Sequence, residues 1–324
     1  MSPAMGDPSA IAFGIGALRG DVPAVVVGTQ VRPLADIVAR HTGAPAPAPA
    51  TMKALLADWT RWHGWLRGLG LDPEREEGWR PQDSMKFGPP VAEPWNIFQT
   101  YHNYQRPSRV HAGRMDPPKE VRVLPDVFMG SRSALAAYGD PVLREHGGTQ
   151  FDFEVELCAV VGREAYRVPA DKAEAYLAGY CIANDYTMHH AWWRPIRKNS
   201  SMGDNLRMKN FPGYTPLSRA IVPADLVGDP HDLAVRAWVD GELRQDTRTN
   251  AMLWHVEELV EYLSHIVPLR PGDLIICGSP EELPLPEGRE RGLPVGCTMT
   301  AEMEKLGRLV NTIGEQDFRQ PNER

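Results

Sequence analysis

At 324 residues, with 42% hydrophobic and 24% charged residues, the chain has an ordinary globular composition and enough length to bury a substantial core. No run of 18 uninterrupted apolar residues marks a membrane span. The net charge of −7, with no stripe of clustered Lys and Arg, argues against a nucleic-acid surface, because phosphate binding needs such a stripe. The start, MSPAMGDPSAIAFGIGALRG, lacks the basic and apolar regions of a secretory signal, so the expected location is cytoplasmic. Cys158, Cys181, Cys277 and Cys297 are scattered without a CxxC pair and read as small buried hydrophobes rather than disulfides or zinc ligands.

In chain order, AVVVGTQVRPLADIV predicts a strand, a turn at Gly28 and Thr29, and a second strand. The Ala/Pro alternation at 43–51 favours an extended linker. After it, Leu55, Leu56, Trp59, Trp62, Leu66 and Leu69 recur at helical spacing, with the tryptophans as core. A polar stretch at 70–84 precedes PPVAEPWNIFQTYHNY, which begins a different body. The expected division is therefore a small N-terminal α/β domain at 1–90 and a catalytic domain at 91–324. From 151 onward short strands dominate: FDFEVELCAVVG, LAGYCIAND, LAVRAWVDGELRQ and DLIICGSP. Leu253, Val256, Leu259, Val260, Leu263 and Ile266 form the stripe of one clear helix, capped at Thr249 or Asn250 and stopped by Pro268; His255 and His265 on it are expected to be structural. A shorter helix is expected from Pro169 to Leu177. Many strands with few crossover helices indicate an α+β body.

In FDFEVELCAVVG, apolar residues from Phe151 to Val161 alternate with Asp152, Glu154, Glu156, Cys158 and Val160, so Glu154 and Glu156 share one strand face. Their Cα atoms should lie roughly 6.6 Å apart, close enough for both carboxylates to meet one cation. Like charges so placed repel unless a cation or proton lies between them. Hard oxygen ligands point to Mg²⁺, with Mn²⁺ or Ca²⁺ as alternatives. Asp185, at the end of the next strand-like segment, supplies a third carboxylate. The pair by itself also fits a solvated strand face.

At these residues the sequence resembles the fumarylacetoacetate hydrolase family. The resemblance is carried by PPVAEPWNIFQTYHNY, DFEVELCAVVG, GYCIANDYT, MKNFPGYTPLSRAIVPADL, HVEELVEYLSHIVPLRPGDLIICGSP and LGRLVNTI, in the family's order and over nearly the whole chain. It implies a mixed β-sandwich roll with a small N-terminal domain, a homodimer, and a divalent ion on Glu154, Glu156 and Asp185. The ion would chelate a 2-oxo or enol acid and stabilise an enolate. Lys209 in MKNF matches a lysine that points into the site. Ser279 in GSP matches a hydroxyl that contacts substrate.

The sequence also departs from the family pattern. The NYxxHxxE motif, whose His and Glu activate water, is replaced after Asn103 and Tyr104 by Gln105-Arg106-Pro107-Ser108-Arg109-Val110-His111. His111 is a candidate replacement, with His102 as another. TARD becomes Thr187-Met188-His189-His190, which makes His189 or His190 a second candidate for proton transfer. FLKP becomes Phe128-Met129-Gly130-Ser131, leaving Arg106 and Arg109 as candidate contacts for the substrate carboxylate. The expected activity is hydrolytic cleavage of a carbon–carbon bond in a β-diketo or 2-oxo acid, such as an acylpyruvate. Decarboxylation and keto–enol or double-bond isomerisation are alternatives that do not require activated water. A non-catalytic metal- or ligand-binding protein is the reading from another class.

Overall fold

The structure is a computed structural model that describes residues 10–105, 110–111, 114–115, 124–146, 149–190, 205–285 and 292–317. Among them, Val155–Val161 is the strand from which the fold is most easily built. All seven of its residues are buried, yet alternate residues face different cores. Val155, Leu157, Ala159 and Val161 pack into one cluster, with Val235, Ala237, Met299, Ala301 and Leu309. Cys158 and Val160 pack into the other, with Leu34, Ile37, Trp59 and Trp62. Burial on both faces explains why no solvated face remains. All four cysteines are free and buried, and Cys158 stands opposite Cys181 in register.

Two main sheets create these faces. The ten-stranded sheet runs in the order Arg80–Pro81, Gln30–Pro33, Val22–Gly28, Ile11–Leu18, Ala220–Pro223, Leu177–Asn184, Val155–Val161, Leu274–Ile276, Ile97–Tyr101 and Asp126–Met129. The five-stranded sheet runs Val142–Glu145, Gly307–Gln316, Thr298–Met303, Ala234–Val239 and Glu242–Arg248. With few helices around them, they form the mixed, sheet-rich α+β architecture expected from the sequence. The N-terminal strands join the larger sheet through antiparallel pairing of Ile15 with Ile221 and Gly16 with Ala220. Gly16 is required there, since a Cβ at that position would come within 2.1 Å of the Arg219 carbonyl oxygen.

The helical pattern around residues 52–69 resolves into Met52–Leu56 and Trp59–Gly68. Thr51 begins the first by accepting the Ala54 N–H at Oγ1, 3.1 Å away. Trp59, Trp62 and Leu66 are buried against the sheet, and each large apolar side chain so placed contributes about 1.5–3 kcal/mol.

Several expectations need correction. FDFEVELCAVVG is not one strand: Thr149–Asp152 pairs with Thr187–His190, whereas Val155–Val161 pairs with Leu177–Asn184. Phe153 and Glu154 form the break, because the Glu154 N–H is taken by the Asn184 side chain instead of a strand partner. The long helix spans Val256–Ile266 and starts at His255, not at Thr249 or Asn250, which lie in a separate 3-10 turn. Glu258 accepts the His255 N–H and so closes the helix start. Ile266 leaves the buried stripe and is 60% exposed, although Leu263 and Ser264 in the same turn are buried. The segment from Pro169 is a 3-10 helix, Ala170–Tyr176. His189 and His190 lie on the strand Thr187–His190.

Candidate active site

Glu154 lies at the strand break, Glu156 on Val155–Val161, and Asp185 just beyond Leu177–Asn184. Pairing of Val155 with Asn184 brings these chain positions together. One carboxylate oxygen from each of the three lies within 4.8 Å of the others. The backbone reinforces the approach: Asp185 N–H donates to the Glu154 carbonyl at 2.8 Å, and Glu154 N–H donates to Asn184 Oδ1 at 2.9 Å. Lys209, on the helix Asn205–Lys209, reaches in from a distant part of the chain. Its Nζ donates to Glu154 Oε2 at 2.9 Å and to Asp185 Oδ2.

The backbone turn at Gly278 closes another side by donating its N–H to Glu156 Oε2. Gly278 has φ +82°, and a Cβ there would press to 3.1 Å from Asn103 Cβ. Asn103 locks this turn in place. Its Nδ2 donates to the carbonyls of Cys277 (2.9 Å) and Trp254 (3.0 Å), and its Oδ1 accepts the Trp254 N–H at 2.8 Å. Ser279 follows, buried, with its hydroxyl donating to the Pro280 carbonyl at 3.3 Å.

Electrostatically the cluster is unbalanced. Three carboxylates face one ammonium, an excess of two negative charges if all are ionised, and Glu156, Asp185 and Lys209 are at most 3% exposed. Burial, then Asp185 and Glu154, push Glu156 well above the usual carboxylate range. Burial, opposed by Lys209 and aided by Glu154, raises Asp185 to about 6. For Lys209 burial pulls downward, but Asp185, Glu154 and Glu156 outweigh it and the ammonium is held above its ordinary value. Asp185 Oδ1 is buried with no hydrogen-bond partner among the described residues. A divalent ion fits this donor set. It would supply the missing charge, and carboxylate oxygens are the hard ligands that such ions take at about 2.0–2.6 Å.

A model described as fumarylacetoacetate (FAA) hydrolase C-terminal matches residues 96–314. This chain belongs to the fumarylacetoacetate hydrolase family. Within it, the chain is 34% identical over 212 residues to an Escherichia coli protein named homoprotocatechuate catabolism bifunctional isomerase/decarboxylase, covering 64% of this chain and 44% of that one. It is 33% identical over 233 residues to a maleylpyruvate hydrolase of Aquipseudomonas alcaligenes, covering 69% and 74% of the two chains. The chain thus spans less than half of the first relative and about three quarters of the second. Its fold resembles that of maleylpyruvate hydrolase from Sphingobium sp. SYK-6, solved in complex with manganese(II) ion and pyruvate. The TM-score is 0.69 and the identity 21%, with 94% of this chain and 100% of that chain covered.

Against this family frame, the structure brings Glu154, Glu156, Asp185 and Lys209 together and sets Ser279 next to the Gly278 turn. His111 lies on the short strand Val110–His111, with its side chain outside the described residues, as do Arg106 and Arg109 entirely. His189 is half-buried on Thr187–His190, on the opposite side from the buried Met188. Sequence reasoning assigned no site role to Gly278, Asn103, Asn184 or Gln99. The first three carry weak local signals in the GSP, Asn-Tyr and Asn-Asp pairs. Gln99 has only its polarity within a strand that begins with Ile97 and Phe98.

A second cluster of donors, His231, His255 and Glu257, also has ligand atoms within 4.8 Å. His231 is occupied at both nitrogens: Nδ1 lies 3.3 Å from Asp229, and Nε2 accepts the Val256 N–H at 3.2 Å. Its ring stacks on His255 at 4.0 Å. This arrangement closes the start of the helix.

Proposed function

We propose that this chain is a divalent-metal-dependent hydrolase that cleaves a carbon–carbon bond in a β-diketo or 2-oxo acid resembling an acylpyruvate or fumarylacetoacetate. The observation that carries the reading is the cluster of half-buried Glu154 with buried Glu156 and Asp185, which when fully ionised stands two charges short of neutrality beside Lys209. Those three carboxylates would hold Mg²⁺, with Mn²⁺ or Ca²⁺ as substitutes, and the ion supplies positive charge against which an enolate is stabilised. The membership of an enzyme family with hydrolase, isomerase and decarboxylase names supports an enzyme over a binding protein.

In this reading Lys209 keeps its proton. The surrounding carboxylates hold the ammonium, so Nζ orients Glu154 and Asp185 and presents fixed positive charge instead of abstracting a proton. The Gly278 N–H fixes Glu156, which aims its other oxygen. Ser279 contacts substrate, Arg106 and Arg109 bind its carboxylate, and His111 or His189 transfers the proton. Loss of the His–Glu dyad, together with the isomerase/decarboxylase name of one relative, favours decarboxylation or isomerisation as the second reading. We also propose the division near residue 90, a homodimer and a cytoplasmic location; no described helix is long and apolar enough to cross a membrane.

The test is a panel of acylpyruvates, oxaloacetate and unsaturated hydroxy diacids, each with Mg²⁺, with Mn²⁺ and with chelator. Ion-dependent cleavage of an acylpyruvate is expected. Carbon dioxide release or isomerisation without cleavage selects the second reading, and an ion-loaded protein inert on the whole panel overturns the enzyme reading.

A further inference from the structure

Away from the carboxylate cluster, a cavity of about 360 Å³ opens where the first strands meet the rest of the chain. Arg19, Lys86 and Phe87 line it from the N-terminal segment, and Tyr138, Asp140 and Arg219 line it from the larger body. Its size lies within the roughly 300–1,000 Å³ of small-molecule sites. Backbone hydrogen bonds hold its walls. The Arg19 N–H donates to the Lys86 carbonyl at 2.9 Å and the Gly88 N–H to the Ala17 carbonyl at 2.9 Å, while across the cavity the Gly139 N–H donates to the Val310 carbonyl at 2.8 Å. The space is therefore built into the fold.

Three cations, Arg19, Lys86 and Arg219, and two carboxylates, Asp83 and Asp140, line this space, an excess of one positive charge. Asp140 is engaged at both oxygens, by Arg19 and by the Ala137 N–H at 3.0 Å. Arg219 donates to Gln82 Oε1 at 3.2 Å and pairs with Asp83. The two ends of that pair are unequally placed. The Arg219 side chain is 8% exposed and that of Asp83 is 84% exposed, so water screens the carboxylate far more than the guanidinium it faces. The Tyr138 ring, 3.6 Å from the guanidinium carbon, and the Phe87 ring, 5.5 Å from it, fix Arg219 in place. With exposed Lys86 left over, the cavity carries a positive field beside apolar surface from Met85 and Phe87.

We propose that this cavity is a second binding site, for a small organic carboxylate whose charged end meets Lys86 and the Arg219 side and whose apolar body rests on Met85 and Phe87. The bound carboxylate supplies, out of bulk water, the negative charge that Asp83 offers Arg219 only through it. None of Glu154, Glu156, Asp185 and Lys209 lines the cavity, so the inference stands apart from the cation reading. Arg219 directly precedes Ala220, which pairs with Gly16 where the N-terminal strands join the larger sheet. A ligand here touches both sides of that junction and stabilises it by mass action.

Benzoate is the probe, with benzamide as its uncharged counterpart and inorganic phosphate as an anion without an apolar body. Isothermal titration of the full-length protein, with Mn²⁺ and again with chelator, is expected to give benzoate a dissociation constant of about 1 mM or below, at least about tenfold tighter than either control. Lys86→Glu reverses a charge at an exposed position, so it should weaken benzoate at least about tenfold. Mn²⁺ affinity and turnover of that variant should stay within about twofold, the two sites sharing no residue. A wild type that takes up no benzoate overturns the inference. Benzamide binding as tightly as benzoate overturns it because no charge is then read, and phosphate binding as tightly overturns it because the apolar wall is then idle. Benzoate binding that vanishes with chelator, or that is unchanged in Lys86→Glu, also overturns it, since the carboxylate then sits on the ion or elsewhere on the surface.

Discussion

Two clusters among the described residues hold three potential metal ligands within the same 4.8 Å, and they are built for different ends. Around Glu154, Glu156 and Asp185, negative charge exceeds positive when all are ionised, burial raises two carboxylates, and Asp185 Oδ1 has no hydrogen-bond partner meeting normal geometry among the described residues. Around His231, His255 and Glu257, the cluster is at the surface and His231 is engaged by Asp229 and by the Val256 N–H. Closeness of ligand atoms therefore does not distinguish a site from a helix start. Charge imbalance and unsatisfied bonding capacity in a buried place do, because both carry a free-energy cost that a bound ion removes.

The sharpest break of this comparison is Glu156→Gln. It removes one charge from the buried set while preserving shape, so Mn²⁺ affinity should fall at least about a hundredfold, or roughly 2.7 kcal/mol, and activity should fall with it. Isothermal titration with Mn²⁺ checks this. Unchanged affinity would remove Glu156 from the ligand set.

Proton linkage gives a smaller effect. Asp185, raised to about 6 from its ordinary 3.8, binds more protons in the folded chain than in the unfolded one between those values. Glu156 shifts in the same direction. For the metal-free protein this contribution makes stability rise as pH falls from about 7 towards 5. Saturating Mn²⁺ should reverse the slope, since the ion binds the ionised carboxylates and competes with protons. Melting curves at pH 7, 6 and 5, with Mn²⁺ and with chelator, test the sign; parallel slopes would show that no ion shares these groups.

The smallest effect belongs to the other cluster. His255→Gln keeps the backbone N–H that Glu258 accepts, so turnover and Mn²⁺ affinity should stay within about twofold and stability should change by about 1 kcal/mol or less. Steady-state kinetics and melting of this variant suffice. A large loss of turnover would place chemistry at the helix start and erase the contrast.

Much of this arrangement is local and could be read along the chain. The alternation from Val155 to Val161, the stripe from Val256 to Leu263 and the tryptophan spacing in Trp59–Gly68 each report which residues turn inward, since strand and helix periods act over a few residues. Glu154 and Glu156 are also close because they are near in sequence, although the strand break between Asp152 and Val155 was not legible. It depends on Asn184, which lies 30 residues away from Glu154. Tertiary structure alone decided what surrounds the carboxylates. Lys209 meets Glu154 across 55 positions, Gly278 meets Glu156 across 122, and Gln99 approaches from the other side of the sheet order. Local periodicity fixes the face on which a residue lies. Which faces meet, and so which buried charges and amides must satisfy one another, follows from strand pairing and layer packing that a single residue pattern does not contain.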